Sequence, residues 1–148
     1  MIRPATITDL SQLANLFDQY RVFYRKASEL TAAEDFLRER LEQKDSHIYV
    51  FEENSELLGF VQLFPIFSST RMKRLWLLND LFVVPAQRGR GLSLQLLDAG
   101  KELCRQTNAC GVMLETEKSN DIGNQLYPRA GFKQNEASNF YEWNPSIQ

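Results

Sequence analysis

Two stretches of this chain combine residue types that do chemistry. The first is the turn Arg88-Gly89-Arg90-Gly91-Leu92-Ser93. Two glycines at a helix start let several backbone N–H groups point into one concavity. The helix dipole adds partial positive charge there, and Arg88 and Arg90 add two full charges. Together these make a pocket for phosphate. Walker spacing is absent, and a dinucleotide fingerprint would need a third glycine where Leu94 stands. The plain alternative is a strand-to-helix turn that needs glycine for its backbone alone. The second stretch is Asn79-Asp80, which interrupts an apolar run. Buried polar groups are costly unless partnered, so these two need a reason. Successive strand residues face opposite sides, so only one of the pair faces a cleft unless a bulge splays them.

The elements around these stretches follow from periodicity. Residues 2–5 read as a short strand, with Thr8 and Asp9 as N-cap candidates for a helix. Leu10, Leu13, Phe17, Tyr20 and Tyr24 form one helical face. Thr31 and Glu34 have capping-box spacing, and Ala33, Phe36, Leu37 and Leu41 continue as the stripe of a second helix. Residues 47–53 and 57–67 read as strands, with Pro65 pushing the second to an edge or bulge. Residues 75–84 read as a strand buried on both faces, ended by Pro85. A long helix then carries Leu92, Leu96, Ala99 and Leu103 on one face. A strand over 111–115, a short helix over 120–129 stopped by Gly131, and strands at 132–133 and 140–143 close the chain. The expectation is a mixed α/β sheet wrapped by helices.

Composition narrows the function classes. The chain has 148 residues, 43% hydrophobic and 24% charged, which suits one globular domain. Its 17 Lys and Arg nearly balance 19 Asp and Glu, a sum that argues against a nucleic-acid or membrane-surface binder. No signal-peptide core opens the sequence and no run suits a bilayer span, so a cytoplasmic protein is expected. Cys104 and Cys110 have neither metal nor redox spacing, so no metal is expected. Cys104 reads as core rather than nucleophile, and His47, the only histidine, as a surface or capping residue. The balance hides an asymmetry: residues 31–56 hold eight acids against three bases, and residues 71–105 hold seven bases against three acids.

The motifs carry a resemblance. Residues 88–93 resemble the Arg/Gln-x-x-Gly-x-Gly/Ala pyrophosphate loop of the GNAT superfamily of acyl-CoA N-acetyltransferases, with Ser93 in the last small position. Asn120, Gly123, Leu126 and Tyr127, followed by Gly131-Phe132, resemble that family's Asn-x-x-Ala-x-x-Leu-Tyr…Gly-Phe segment. Gly123 replaces the usual alanine, and Pro128 after the tyrosine is unusual. Ile2-Arg3-Pro4-Ala5-Thr6…Asp9 is similar to a common family opening. Around Asn79 the sequence also resembles the diamine acetyltransferase branch, where an acid stands at this position.

The resemblance implies a single domain over residues 1–148, with a mixed sheet whose splayed strands hold acetyl-CoA. The backbone of Arg88, Gly89, Arg90, Gly91, Leu92 and Ser93 would hold the pyrophosphate. Leu81, Phe82 and Val83 would pair with the pantetheine arm, and the Phe82 N–H would polarise the thioester carbonyl. Asn120 would contact the cofactor arm, and Tyr127 would protonate the leaving thiolate. Asn79 stands at the catalytic acid's position of the diamine branch, but an amide cannot take a proton as a carboxylate does, so a water relay, Asp80 or Glu115 would take the acceptor's proton. Phe23, Tyr24 and Glu115 are candidates for the acceptor side. The expected activity is direct acetyl transfer to a primary amine of a small molecule or polyamine. A protein amine as acceptor, or a non-catalytic acyl-CoA-binding module, are the alternatives. The family also implies a possible homodimer, for which Phe140, Tyr141 and Trp143 could supply an apolar interface.

Overall fold

A computed structural model of the chain describes residues 1–147. The chain divides into two compact units, residues 1–115 and residues 116 onward.

The first unit is built on five strands: β1 (Ile2–Pro4), β2 (His47–Glu53), β3 (Glu56–Ser68), β4 (Lys73–Val83) and β5 (Val112–Met113). They lie in the order β1-β2-β3-β4-β5. Pairing is antiparallel up to β4, and β4 pairs with β5 in parallel. Helices α1 (Leu10–Phe23) and α2 (Leu30–Gln43) pack on one face of the sheet. Leu13, Phe17 and Leu37 meet Ile48, Val50, Phe60 and Phe82 there, an apolar cluster that water cannot enter. Helix α3 (Leu92–Gln106) covers the other face with Leu92, Leu96, Leu97 and Leu103. Gly100 lets α3 come close, since a β-carbon there would lie 3.1 Å from Leu63 and 3.9 Å from Leu78.

One irregularity in β4 decides what each face receives. Gln62 opposes Asp80, but Leu63 opposes Leu78, so Asn79 has no opposing residue on β3. This is a β-bulge. Side chains alternate along a strand, so without the extra residue Leu78 and Asp80 would share a face. With it, Leu78 packs beneath α3 while Asp80 and Phe82 turn toward α1. The Asn79 side chain is left exposed.

Local chemistry corrects several expected boundaries. Asp9, one of the two expected residues, stands at the N-cap position of α1, and a short turn over Ile7–Asp9 that Thr6 caps comes before it. The Asp9 carboxylate accepts from the Thr6 N–H at 2.8 Å and is gripped by two nitrogens of Arg3. Helix α2 begins at Leu30 with Glu29 before it, so Thr31 lies inside the helix and caps nothing. Asp18 takes that end instead, accepting from the Glu29 N–H at 2.8 Å. Pro65 lies beyond the last β2 pair, His47 with Leu63, where its missing N–H leaves no ladder bond unmade. Strand β5 spans two residues rather than five.

The second unit contains α4 (Asp121–Arg129). Residues 132–133 and 140–143, expected as strands, are irregular. Apolar type alone suggested those strands, and no partner strand pairs with them among the described residues. Phe140, Tyr141 and Trp143 are exposed, so they do not complete a core.

Candidate active site

The phosphate-loop candidate sits where β4 gives way to α3. Gly89 and Gly91 have φ of +84° and +78°, the left-handed region that side chains resist. A β-carbon at either would meet nothing within 4 Å, so the space before the loop is open. Gly91 caps α3 without a side-chain acceptor, and no acid lies in the first turn. The first N–H groups of a fifteen-residue helix therefore point outward with the positive end of its dipole. That fits an anion of pyrophosphate size.

The two arginines behave differently from the expected pair of charges. Arg90 forms a forked ion pair with Glu53, at 2.8 and 3.2 Å, and also donates to Gln87. Its cation holds the Glu53 carboxyl below the usual carboxylate range. Arg88 donates from Nε to the Val83 carbonyl at 3.2 Å. Its guanidinium lies 5.7 Å from both the Phe23 and Phe82 rings, a cation–π sandwich. Backbone N–H groups and the helix end are thus what the loop leaves open to an anion. Arg88 instead ties the end of α1 to the end of β4.

The bulge gathers the polar residues. Asp80 is 8% exposed, and the Gln62 amide donates to it at 2.6 Å. Ser46 donates to the other end of that amide at 2.9 Å. The Tyr20 hydroxyl hydrogen-bonds the Asp80 carboxyl and donates to the Asn79 carbonyl at 3.1 Å. Burial pushes the Asp80 carboxyl above its ordinary range, and the bonds from Gln62 and Tyr20 pull part of the way back. Tyr24 leans on Tyr20 with ring centroids 5.1 Å apart, and Phe23 packs edge-on against Tyr24 at 5.1 Å. Phe23 is 49% exposed, so this aromatic run reaches the surface. Leu81 is half-buried, and Val83 is buried beside Phe82. β5 pairs only with Trp76 and Leu77. From Leu78 to Val83 the β4 edge on that side has no strand partner among the described residues.

In the second unit, Asn120 caps α4. Its side-chain oxygen accepts from the Gly123 N–H at 3.1 Å, and its nitrogen donates to Thr116 at 2.9 Å. A β-carbon at Gly123 would stand 2.6 Å from that nitrogen, which explains glycine in place of alanine. Helix α4 ends in a Schellman motif: Phe132 N–H to Tyr127 C=O, and Gly131 N–H to Pro128 C=O, both at 3.0 Å. Gly131 has φ +89° there, and the Phe132 ring packs edge-on against Tyr127 at 6.1 Å. The Tyr127 ring is thus held in place by the helix stop itself.

A model of the acetyltransferase (GNAT) family matches residues 10–132. The chain belongs to this family. It is 47% identical over 133 residues to the uncharacterized N-acetyltransferase YhfO of Bacillus subtilis, covering 90% of this chain and 89% of that one. A crystal structure described as a probable acetyltransferase superposes with a TM-score of 0.93 at 35% identity, covering 100% of this chain and 99% of that one. The fold is also that of the aminoglycoside N-acetyltransferase AAC(6')-Iy in complex with CoA, at TM-score 0.81 and 21% identity over 97% and 93% of the two chains. The chain is accordingly an acetyl-CoA-dependent N-acetyltransferase of the GNAT type.

Within this acetyltransferase, the first unit brings Asp80, Phe82, Phe23, Tyr24 and Arg88 together, and leaves the Asn79 side chain in solvent. Glu115 is exposed, past the end of β5. His47 packs edge-on against Trp76 at 4.9 Å, and burial together with Arg74 lowers its pKa. Sequence reading missed Gln62 and Glu53 and placed Tyr20 in the core stripe. Gln62 had a signal: it interrupts the apolar run of β3 as Asp80 interrupts that of β4. Among the described residues no group of three His, Cys, Asp or Glu could hold a metal ion, and no helix is long and apolar enough to cross a membrane.

Proposed function

We propose that this acetyltransferase moves an acetyl group from acetyl-CoA directly to the primary amine of a small molecule, with Asp80 as the terminal proton acceptor. The observation that carries the reading is one strand, β4, with a buried carboxylate at its bulge and an open anion-binding helix end just beyond it. The loop N–H groups of residues 88–93 hold the pyrophosphate. The backbone of Leu81, Phe82 and Val83, on the unpartnered β4 edge, receives the amide-bearing pantetheine arm as an added strand would be received. The Phe82 N–H polarises the thioester carbonyl. Tyr127 protonates the departing thiolate, a role that rests on its match to the family motif. Asn120 supports that segment by capping α4 rather than through a free amide.

The acceptor enters by the aromatic run of Phe23 and Tyr24, with Glu115 a further acceptor-side candidate. The Arg88 guanidinium stands against Phe23, so this entrance already holds a cation. Asn79 offers no carboxylate to a second one. Both features favour an amine with a neutral or anionic remainder over a polyamine. No acetyl-cysteine is needed: Cys104 donates weakly to the Ala109 carbonyl, just past the end of its own helix. Holding both reactants in one geometry supplies much of the rate.

The test is an acceptor screen with acetyl-CoA that scores free thiol release. Amino acids and other carboxylate-bearing amines should outperform spermidine and putrescine. Tight acetyl-CoA binding with no transfer to any amine would leave a binding module instead.

A further inference from the structure

We propose that Tyr20 is the proton relay between the acceptor amine and Asp80, and that Gln62 is the residue that positions Asp80 for it. The inference rests on the transferase reading above.

The argument starts from access. Asp80 is 8% exposed, so its carboxylate lies behind the surface that an amine can reach. The Tyr20 hydroxyl touches that carboxyl on one side and, at the exposed bulge, the Asn79 carbonyl on the other. A tyrosine hydroxyl has one proton to give and lone pairs to receive another. While it donates to Asn79, it can receive a bond from Asp80 only if Asp80 carries a proton. When Asp80 is ionised, the hydroxyl proton turns to the carboxylate, and the Asn79 carbonyl is released to accept an N–H from the acceptor. The same atoms therefore have two hydrogen-bonding states, and the protonation of Asp80 selects between them.

The step balances. As the amine nitrogen bonds to the acetyl carbon, the C–S bond breaks and the thiolate leaves with its electron pair, taking a proton from Tyr127 that water restores. The amine's N–H bond breaks and that proton passes to the Tyr20 oxygen. The original Tyr20 proton passes at once to an Asp80 oxygen. Tyrosine begins and ends neutral, and Asp80 ends protonated, to be discharged to water through the same hydroxyl. Gln62 holds the other side of the carboxyl at 2.6 Å and is itself fixed by Ser46. Among the described residues, the polar groups facing Asp80 are Gln62 from β3 and Tyr20 from α1, with Tyr24 stacked behind Tyr20. None is a cation, so the two hydrogen bonds are what favour the ionised form.

Tyr20→Phe keeps the ring that packs against Phe17, Tyr24, Phe60 and Phe82 and removes only the hydroxyl. The wild-type kcat/KM should rise with pH as Asp80 ionises. In Tyr20→Phe, kcat should fall by about 10-fold or more. The acid limb should move to higher pH, because a bond favouring the carboxylate is gone, while the KM for acetyl-CoA should hold. Gln62→Met should move the limb the same way with a smaller loss of kcat. Titration of the ¹³C-labelled Asp80 carboxyl should show matching upward shifts in both variants without any substrate. An active Tyr20→Phe enzyme with the wild-type limb and rate would overturn the relay alone. A wild-type protein that releases no thiol with any amine would overturn the transferase reading, and the relay with it.

Discussion

Strand β4 is two surfaces joined at Asn79. Before it, Trp76 and Leu78 are buried, with Leu78 packed beneath α3. After it, Asp80 and Phe82 face α1, where a tyrosine, a glutamine and a run of aromatic rings await them. The first half buries no charge: Leu78 packs by apolar contact, demanding of volume, and the Trp76 ring N–H donates to Thr107 at 2.9 Å. The second carries a buried carboxyl that needs every hydrogen bond it has. One unpaired residue separates the two regimes. Placing a titratable group inside a sheet took a change of register and not a change of strand.

Removing that residue should have the largest effect. Deletion of Asn79 would swing Asp80 under α3 and pull Phe82 from the α1 core, at a cost above about 4 kcal/mol. Chemical denaturation should find the variant unfolded or nearly so; near-normal stability with full activity would show that the bulge does not set the facing. Leu78→Ala comes next, at about 2–5 kcal/mol in the same assay, because it opens a cavity beneath Gly100. Its rate should keep the wild-type pH profile, and a shifted profile would mean that the two halves are not independent. Gly91→Ala forces a side chain into the left-handed region at about 1–2 kcal/mol. Since open space lies around it, the loss should appear as roughly 10-fold weaker acetyl-CoA binding by calorimetry. Unchanged affinity would remove the loop from the binding site.

The smallest effect is thermodynamic and has a definite sign. Burial raises the Asp80 pKa in the folded chain. Its relative contribution to stability is therefore fully present below the ordinary aspartate pKa and is lost as pH rises through the raised one. Asp80→Asn should melt above wild type at neutral pH, with the gap closing in acid. A gap that widens in acid would mean a depressed pKa.

Much of this was legible in the sequence because the signals were local. The glycines of residues 88–93, the Tyr127…Gly131-Phe132 stop and the stripe of Leu10, Leu13 and Phe17 each report their own backbone geometry. Asn79-Asp80 left a choice between one residue facing inward and a bulge splaying both; the structure has the bulge, yet buries Asp80 alone. What stayed hidden depends on partners far along the chain. Glu53 neutralises Arg90 across 37 positions, and Tyr20 reaches Asn79 across 59. Tyr20 also fits the apolar stripe so well that its hydroxyl gave no sign. The late strands failed for the opposite reason: residues 140–143 have strand-forming types, but a strand needs a neighbour to pair with.

The central claim is that the bulge turns Asp80 into the terminal base of acetyl transfer. The pH dependence of kcat/KM for wild type and Asp80→Asn, with one acceptor at saturating acetyl-CoA, tests it most directly. Wild type should gain activity as pH rises through a limb above the ordinary carboxylate range. Asp80→Asn should be slower by about 10²–10⁴-fold and should lack that limb. An Asp80→Asn enzyme with the wild-type rate and the wild-type limb would contradict the claim.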